Sequence, residues 1–158
     1  MTAISRNTLK IGIITSKGGH LLQIAKLKNL FQKYDRFWVT FAGQDVEDCL
    51  NEEQTYLAYF PESRNILNFI KNLFLSFKIL YLEQPNVLIS SGAGIAVPFF
   101  LVGKIFFRTK LIYIESFDFV KYPSLTGKIL YQWTDLFLIQ HKVQKKWYPN
   151  ATFAGSIL

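Results

Sequence analysis

Short runs of β-branched and aromatic residues alternate with longer amphipathic stretches along this chain, which predicts a single α/β domain with a mostly parallel sheet. Three observations carry that prediction. Residues 9–16 (LKIGIITS), 86–90 (NVLIS) and 135–139 (DLFLI) are almost continuously apolar, as strands buried on both faces are. Stretches with apolar residues three and four apart lie between such runs. The length of 158 residues suffices for one such domain and not for two, so 1–158 is read as one unit.

The first strand, 9–16, ends in a Gly-Gly turn. Residues 21–34 follow as a helix, with Leu21, Ile24, Ala25, Leu27, Leu30 and Phe31 on one face and Lys26, Lys28, Gln32 and Lys33 on the other. Residues 37–42 (FWVTFA) form the second strand, 45–51 a helical turn and 55–60 a short third strand that Pro61 closes. Residues 65–83 read as a long helix whose apolar sector is wider than one core face needs. Pro85 stops it, and 86–90 is the next strand. After the tight turn Ser91-Gly92-Ala93-Gly94 a helix runs to about residue 107. Then come a strand at 110–114, a loop at 115–123, a short helix at 124–131 with Ser124 as N-cap, and the strand at 135–139. A helical turn at 143–147 and a small strand at 151–153 complete the order.

Composition narrows the function classes. Half of the residues are hydrophobic, with 15 Phe and 8 Tyr, which excludes disorder. The single cysteine, Cys49, builds no disulfide framework, so a reducing compartment fits. Residues 1–10 hold no long apolar run and do not read as a leader peptide. The most lipid-like stretch, 95–107, is interrupted by Pro98, Gly103 and Lys104 and falls short of the roughly 20 residues that span a bilayer. A net charge of +7 points to an anionic partner. The basic residues lack the aromatic pattern of an RNA-binding sheet, so nucleic acid is not expected. Neither a metal nor an organic cofactor is called for: the two histidines and Cys49 lack zinc-ligand spacing, and no P-loop or nucleophile elbow occurs. The acidic group Asp45, Glu47 and Asp48 reads as a solvated helix end.

Three segments fall where open α/β sheets bind ligands, at the carboxyl ends of strands. The first is Ser16-Lys17-Gly18-Gly19-His20. Its glycine turn exposes backbone N–H groups at a helix start, which suits a phosphate, and Lys17 adds a cation; the alternative is a tight turn without a ligand. His20 at that positive helix end favours a neutral, proton-accepting imidazole, or else merely caps the helix. The second segment, Ser91-Gly92-Ala93-Gly94, allows close approach to the backbone, by a ligand or by a neighbouring element. The third is Glu115-Ser116. A carboxyl group there holds a sugar hydroxyl, orients a loop, bonds a neighbouring turn or lies on the surface. Helices 65–83 and 95–110 combine Phe and Leu with Lys71, Lys78, Lys104, Arg108 and Lys110, a pattern for lying on an anionic bilayer or for burial on two sides.

The motifs taken together resemble a known family. Ser16-Lys17-Gly18-Gly19-His20, Ser90-Ser91-Gly92-Ala93-Gly94 with Pro98, and Ile112-Tyr113-Ile114-Glu115-Ser116-Phe117 are similar to the PssD family of bacterial polysaccharide glycosyltransferase subunits. Ser124-Leu125-Thr126-Gly127-Lys128, Asp135-Leu136-Phe137-Leu138-Ile139-Gln140, Tyr148-Pro149 and Gly155 continue the match over nearly the whole chain. The same family includes the membrane-recruiting subunit of the dolichol-linked UDP-N-acetylglucosamine transferase, which has an N-terminal transmembrane anchor that this sequence does not show. More distantly the chain resembles the N-terminal half of MurG.

The resemblance implies a Rossmann-like domain equivalent to the N-terminal half of a GT-B glycosyltransferase. It implies a subunit that binds a lipid-diphosphate-linked sugar at the cytoplasmic face of the membrane, peripherally, in capsule or exopolysaccharide synthesis. A PssE-type subunit would bind the UDP-sugar, and transfer with inversion would occur in the cleft between them. His20 is the implied base, with Glu115 beside it. Ser16, Lys17, Gly18, Gly19, Ser91, Gly92, Ala93, Gly94 and Ser116 would contact substrate, Lys17 standing where Gly or Ser is more usual. The other readings are a non-catalytic recruiting subunit and a stand-alone nucleotide-binding module.

Overall fold

The computed structural model describes residues 9–62 and 64–157. The first eight residues, on which the leader-peptide reading partly falls, lie outside the described residues. Seven parallel strands form one sheet: β1 (Lys10–Ile14), β2 (Asp35–Thr40), β3 (Thr55–Leu57), β4 (Val87–Ser90), β5 (Lys110–Ile114), β6 (Leu136–Ile139) and β7 (Thr152–Phe153). Their order is β3-β2-β1-β4-β5-β6-β7. The chain therefore builds outward from β1 to β3, crosses back, and builds the other way from β4. Between β1 and β4 the connections leave in opposite directions, which opens a crevice at the carboxyl ends of these two strands.

The sheet is buried on both faces, as its near-continuous apolar strands require. Alternation along each strand divides the core. Ile14, Phe37, Val39, Leu88 and Tyr113 face one layer, with α4 (Ile66–Glu83), α5 (Ala96–Phe106) and α6 (Leu125–Leu130). Ile11, Ile13, Trp38, Ile89 and Ile114 face the other, with α1 (Gly19–Ala25), α2 (Lys28–Phe31) and α3 (Gln44–Leu50). Gly12 lies in the middle of β1 because a Cβ there would come within 2.6 Å of the Phe37 ring and 2.7 Å of Leu88.

The order of elements follows the sequence expectation; several ends shift by one or two residues, β2 among them at 35–40 instead of 37–42, and three elements differ further. The helix expected over 21–34 is two helices. Leu27 N–H bonds to the carbonyl of Ile24, three residues back, at 3.0 Å, which tightens the chain after α1. The break lets Phe31 meet Trp38 edge-on, with ring centroids 6.4 Å apart, and brings Lys28 Nζ within 3.3 Å of Glu53. The strand expected over 55–60 ends at Leu57, because the Asn72 side chain takes both backbone groups of Tyr59, at 2.9 and 3.0 Å. The last helical turn is a 3-10 turn, Lys142–Lys146.

The largest departure is the orientation of α4. Its buried stripe includes Asn68, Asn72, Ser76 and Glu83, whereas Ile66, Leu67, Phe74 and Leu82 are exposed. Each inward polar group has a partner: Asn68 donates to the Pro61 carbonyl, Asn72 bonds Tyr59, Ser76 donates to the Leu73 carbonyl, and Glu83 pairs with Lys10 at 2.6 Å. The wide apolar sector therefore faces outward, the reverse of a surface helix that buries its apolar stripe.

Candidate functional site

The crevice between the two halves of the sheet is where the first two sequence-predicted segments meet. β1 delivers the turn before α1, and β4 delivers the turn before α5. His20 spans the gap. Its Nδ1 lies 3.1 Å from the Ser91 carbonyl, and Ser91 Oγ donates to the His20 carbonyl, also at 3.1 Å. A carbonyl oxygen only accepts, so Nδ1 carries the proton in this contact. In the neutral ring Nε2 then holds the lone pair. The imidazole packs on Gly92, at φ +108°, and a Cβ at that position would come within 2.7 Å of the ring. Ala93 follows with φ +92°, an unfavourable conformation for alanine that the surrounding structure holds in place. Ser90 Oγ donates to the Gly92 carbonyl at 2.8 Å and shapes the same turn.

His20, Gly92, Ala93, Gly94 and Ser116 line one cleft of about 460 Å³. Ser116 is buried, and its Oγ has no hydrogen-bond partner among the described residues. Such a hydroxyl is costly unless a ligand or water completes it. Two further residues of the cleft, Glu62 and Arg64, were not singled out from sequence. Glu62 Oε2 accepts the Ile95 N–H at 2.8 Å, at the start of α5. Burial pushes the Glu62 carboxyl above its ordinary range, against the lowering effect of that bond. The one signal available for Glu62 was its position after the carboxyl end of a strand, β3, ahead of α4. The cleft's other wall is apolar, built by Phe69, Val97, Phe119, Leu125 and Ile129.

Several sequence-predicted residues take other places. Ser16, Lys17, Gly18 and Gly19 do not line this cleft. The Gly18 N–H, expected to cradle a phosphate, donates to Asp45 Oδ2 at 2.7 Å. A carboxylate already holds that donor, and Asp45 is thereby more than the solvated helix end expected of it. Lys17 Nζ lies over the Phe60 ring, 4.6 Å from its centroid, and Ser16 Oγ donates to the Lys17 carbonyl at 3.2 Å. Ser91 is fully buried and clamps His20 instead of meeting a ligand.

Glu115, expected beside His20 as a catalytic group, is fully buried beneath the loop at 115–123. Its Oε1 accepts the Ser116 N–H at 3.0 Å, and its Oε2 accepts the hydroxyls of Ser124, at 3.0 Å, and of Tyr148. Of the roles open to it from sequence, bonding the neighbouring turn is the one this geometry fits. Burial, and then the bond to Glu115, push the Tyr148 hydroxyl upward. Ser124 Oγ in turn caps α6 by accepting the Gly127 N–H at 2.8 Å. A side chain at Gly127 would run into the Glu115 carboxyl and the Tyr148 hydroxyl. Glu115, Ser124 and Gly127 thus form one structural unit, which Tyr148 joins from 33 residues beyond Glu115. The loop is pinned from its other side by Gln144, whose amide donates to the carbonyls of Ser116, at 3.2 Å, and Phe119, at 3.0 Å. Among the described residues no group of acids, histidines and cysteines could hold a metal ion.

An all-parallel sheet with its cleft at the β1–β4 switch point has the fold of one α/β half of GT-B glycosyltransferases and related sugar-nucleotide enzymes. MurG from Acinetobacter baumannii matches 85% of this chain with 42% of its own, at TM-score 0.70 and 13% identity. UDP-N-acetylglucosamine 2-epimerase from Rickettsia bellii matches 95% with 45% of its own, at TM-score 0.74 and 12% identity. The chain spans less than half the length of either, and at these identities the likeness is one of fold. Within that fold the chain belongs to the family described as oligosaccharide biosynthesis protein Alg14 like, matched over residues 11–157. The human UDP-N-acetylglucosamine transferase subunit ALG14 is 24% identical over the whole of this chain and 87% of the human protein. The subunit of the same name from Debaryomyces hansenii is 27% identical over 94% of this chain and 76% of its own.

Proposed function

We propose that this chain is the acceptor-side subunit of a two-component inverting glycosyltransferase, transferring a sugar from a UDP-sugar to a lipid-diphosphate-linked sugar in capsule or exopolysaccharide synthesis. The observation that carries the reading is the clamp on His20. With Nδ1 committed to the Ser91 carbonyl, Nε2 is the nitrogen left to take the proton of an acceptor hydroxyl. Around it the cleft divides by chemistry. Arg64 suits a diphosphate, Glu62 and the Ser116 hydroxyl suit sugar hydroxyls, and the Phe69, Leu125 and Ile129 wall suits hydrocarbon. The exposed turn Lys17-Gly18-Gly19 directly precedes His20, and Asp45 holds its Gly18 N–H.

The domain described here supplies one side of a GT-B cleft, and the proposal gives the other side to a partner. The relatives are themselves named as subunits of a UDP-N-acetylglucosamine transferase. A PssE-type nucleotide-sugar-binding subunit fits that role here. Reconstitution tests the reading: transfer to a lipid-diphosphate sugar requires both chains, and calorimetry finds no binding of UDP-sugars or NAD to this chain alone. Tight nucleotide binding by the isolated chain would instead identify a stand-alone nucleotide-binding module.

The outward apolar face of α4 supports peripheral attachment to a membrane, and the proposal puts the protein on its cytoplasmic side. No helix among the described residues is long and apolar enough to cross a bilayer. Ile66 and Phe74 are 79% and 74% exposed, and Lys71, Lys78 and Arg108 are exposed near the same helices, a combination that suits an anionic bilayer surface. Flotation with anionic liposomes is expected to carry the protein upward, less so at high salt. Protein that stays at the bottom, with and without the partner, removes this part of the proposal.

A further inference from the structure

We propose that the groove between α4 and α5 holds the hydrocarbon chain of the lipid-linked acceptor. The inference rests on the acceptor-cleft reading and assigns the part of the substrate that the cleft itself does not hold. The groove has a volume of about 540 Å³ and is open to solvent along its length, and its lining, including Leu73, Phe74, Phe77, Leu101, Ile105 and Phe106, is apolar throughout.

Cleft and groove are joined by helix geometry. Phe69 of α4 and Val97 of α5 line the cleft. Leu73 and Leu101 come four residues later on the same helices, and Phe77 and Ile105 four later again. Residues four apart stack on one helix face. The two helices therefore carry a continuous apolar track out of the cleft, about 12 Å long over eight residues. Toward its far end Phe77 meets Phe106 and Phe107, with ring centroids 5.5 and 5.4 Å away.

The sequence of groups along this track matches an amphiphile. At the cleft end stand Arg64, Glu62, the Gly92–Gly94 turn and the unpartnered Ser116 hydroxyl. At the other end there is only hydrocarbon. The inverted burial of α4 supports the same occupant, because Asn68, Asn72 and Ser76 face inward and leave the apolar residues free for the groove. Attachment to a bilayer needs an apolar face and no channel. An apolar trough that runs on from a polar cleft fits a single chain.

Calorimetry of the full chain with alkyl diphosphates of increasing length, below their aggregation concentrations and without vesicles, tests this. Affinity is expected to rise by up to about fourfold for each added methylene and then level off once the groove is full. Leu101→Trp fills the groove. It is expected to bring the longest ligand down to the affinity of the shortest while leaving the shortest unchanged. Phe74→Ser, at an exposed position, avoids any folding defect and should lower long-chain affinity by a smaller factor. Chain-length dependence that is the same in both variants as in the parent overturns the proposal. Liposome flotation lost in that case would assign the face to the bilayer, and lost co-purification with the partner would assign it to a protein interface. Chain-length-dependent binding without any transfer in the reconstituted pair would leave the groove standing and remove the transferase reading.

Discussion

Replacing His20 by asparagine in the reconstituted pair is expected to lower kcat by about 10²–10⁴-fold, the range that a positioned general base contributes. Asparagine is the informative choice. Its amide can still donate to the Ser91 carbonyl, where His20 Nδ1 sits 3.1 Å away, so the clamp between the two turns persists. The basic nitrogen does not. His20→Ala removes both and is expected to lose activity to at least the same extent, with some loss of stability because the Gly92 turn loses the ring packed on it. Comparing the two variants separates a base from a structural histidine: activity that survives in His20→Asn and is lost in His20→Ala would assign the residue to the clamp alone. Near-normal turnover in both variants would reject the base role and make this chain a recruiting subunit whose partner carries the chemistry.

Glu115→Ala is expected to have the largest effect on stability. The carboxyl group is fully buried and accepts from the Ser116 N–H, the Ser124 hydroxyl and the Tyr148 hydroxyl. Its removal leaves buried donors without acceptors, at a cost of about 3 kcal/mol. For a domain of this size that lowers Tm by about 6–12 °C. Glu115→Gln keeps one acceptor oxygen for the two hydroxyls and sets an N–H against the Ser116 N–H, so a smaller loss is expected. At temperatures where the variants stay folded, the loop that carries Ser116 and Phe119 loosens. KM for the acceptor then rises, while the pH profile of kcat keeps its shape. A changed profile with unchanged Tm would return Glu115 to the reacting groups.

The sheet and its order of elements were readable because parallel strands buried on both faces need continuous apolar runs. In 86–90 and 110–114 that run left little else to fit. Ser124 as a cap and the glycine turns were readable for a similar reason, since each depends on its own few residues. The orientation of α4 was not. Its apolar residues are so many that periodicity defines no single inward face, and the choice fell to Asn68, Asn72 and Ser76, whose partners Pro61, Tyr59 and Leu73 include backbone that no local pattern announces.

The site divides in the same way. Its position at strand ends followed from fold class, and His20, Gly92, Ala93, Gly94 and Ser116 followed from turn chemistry and family likeness. Which of the predicted residues face the cleft depended on contacts between segments far apart in the chain. Asp45 reaches 27 residues back to take the Gly18 N–H. Tyr148 reaches Glu115 from 33 residues away and helps to hold it under the loop. Glu62 enters the cleft by bonding Ile95, also 33 residues distant. The sequence by itself determined a parallel α/β domain with glycine turns and a histidine at its carboxyl rim, because those features obey short-range rules of spacing and backbone freedom. The tertiary structure alone decided which donors stay open to a ligand and which way the apolar helix faces, because a buried hydrogen bond is settled by whatever partner the folded chain brings within reach.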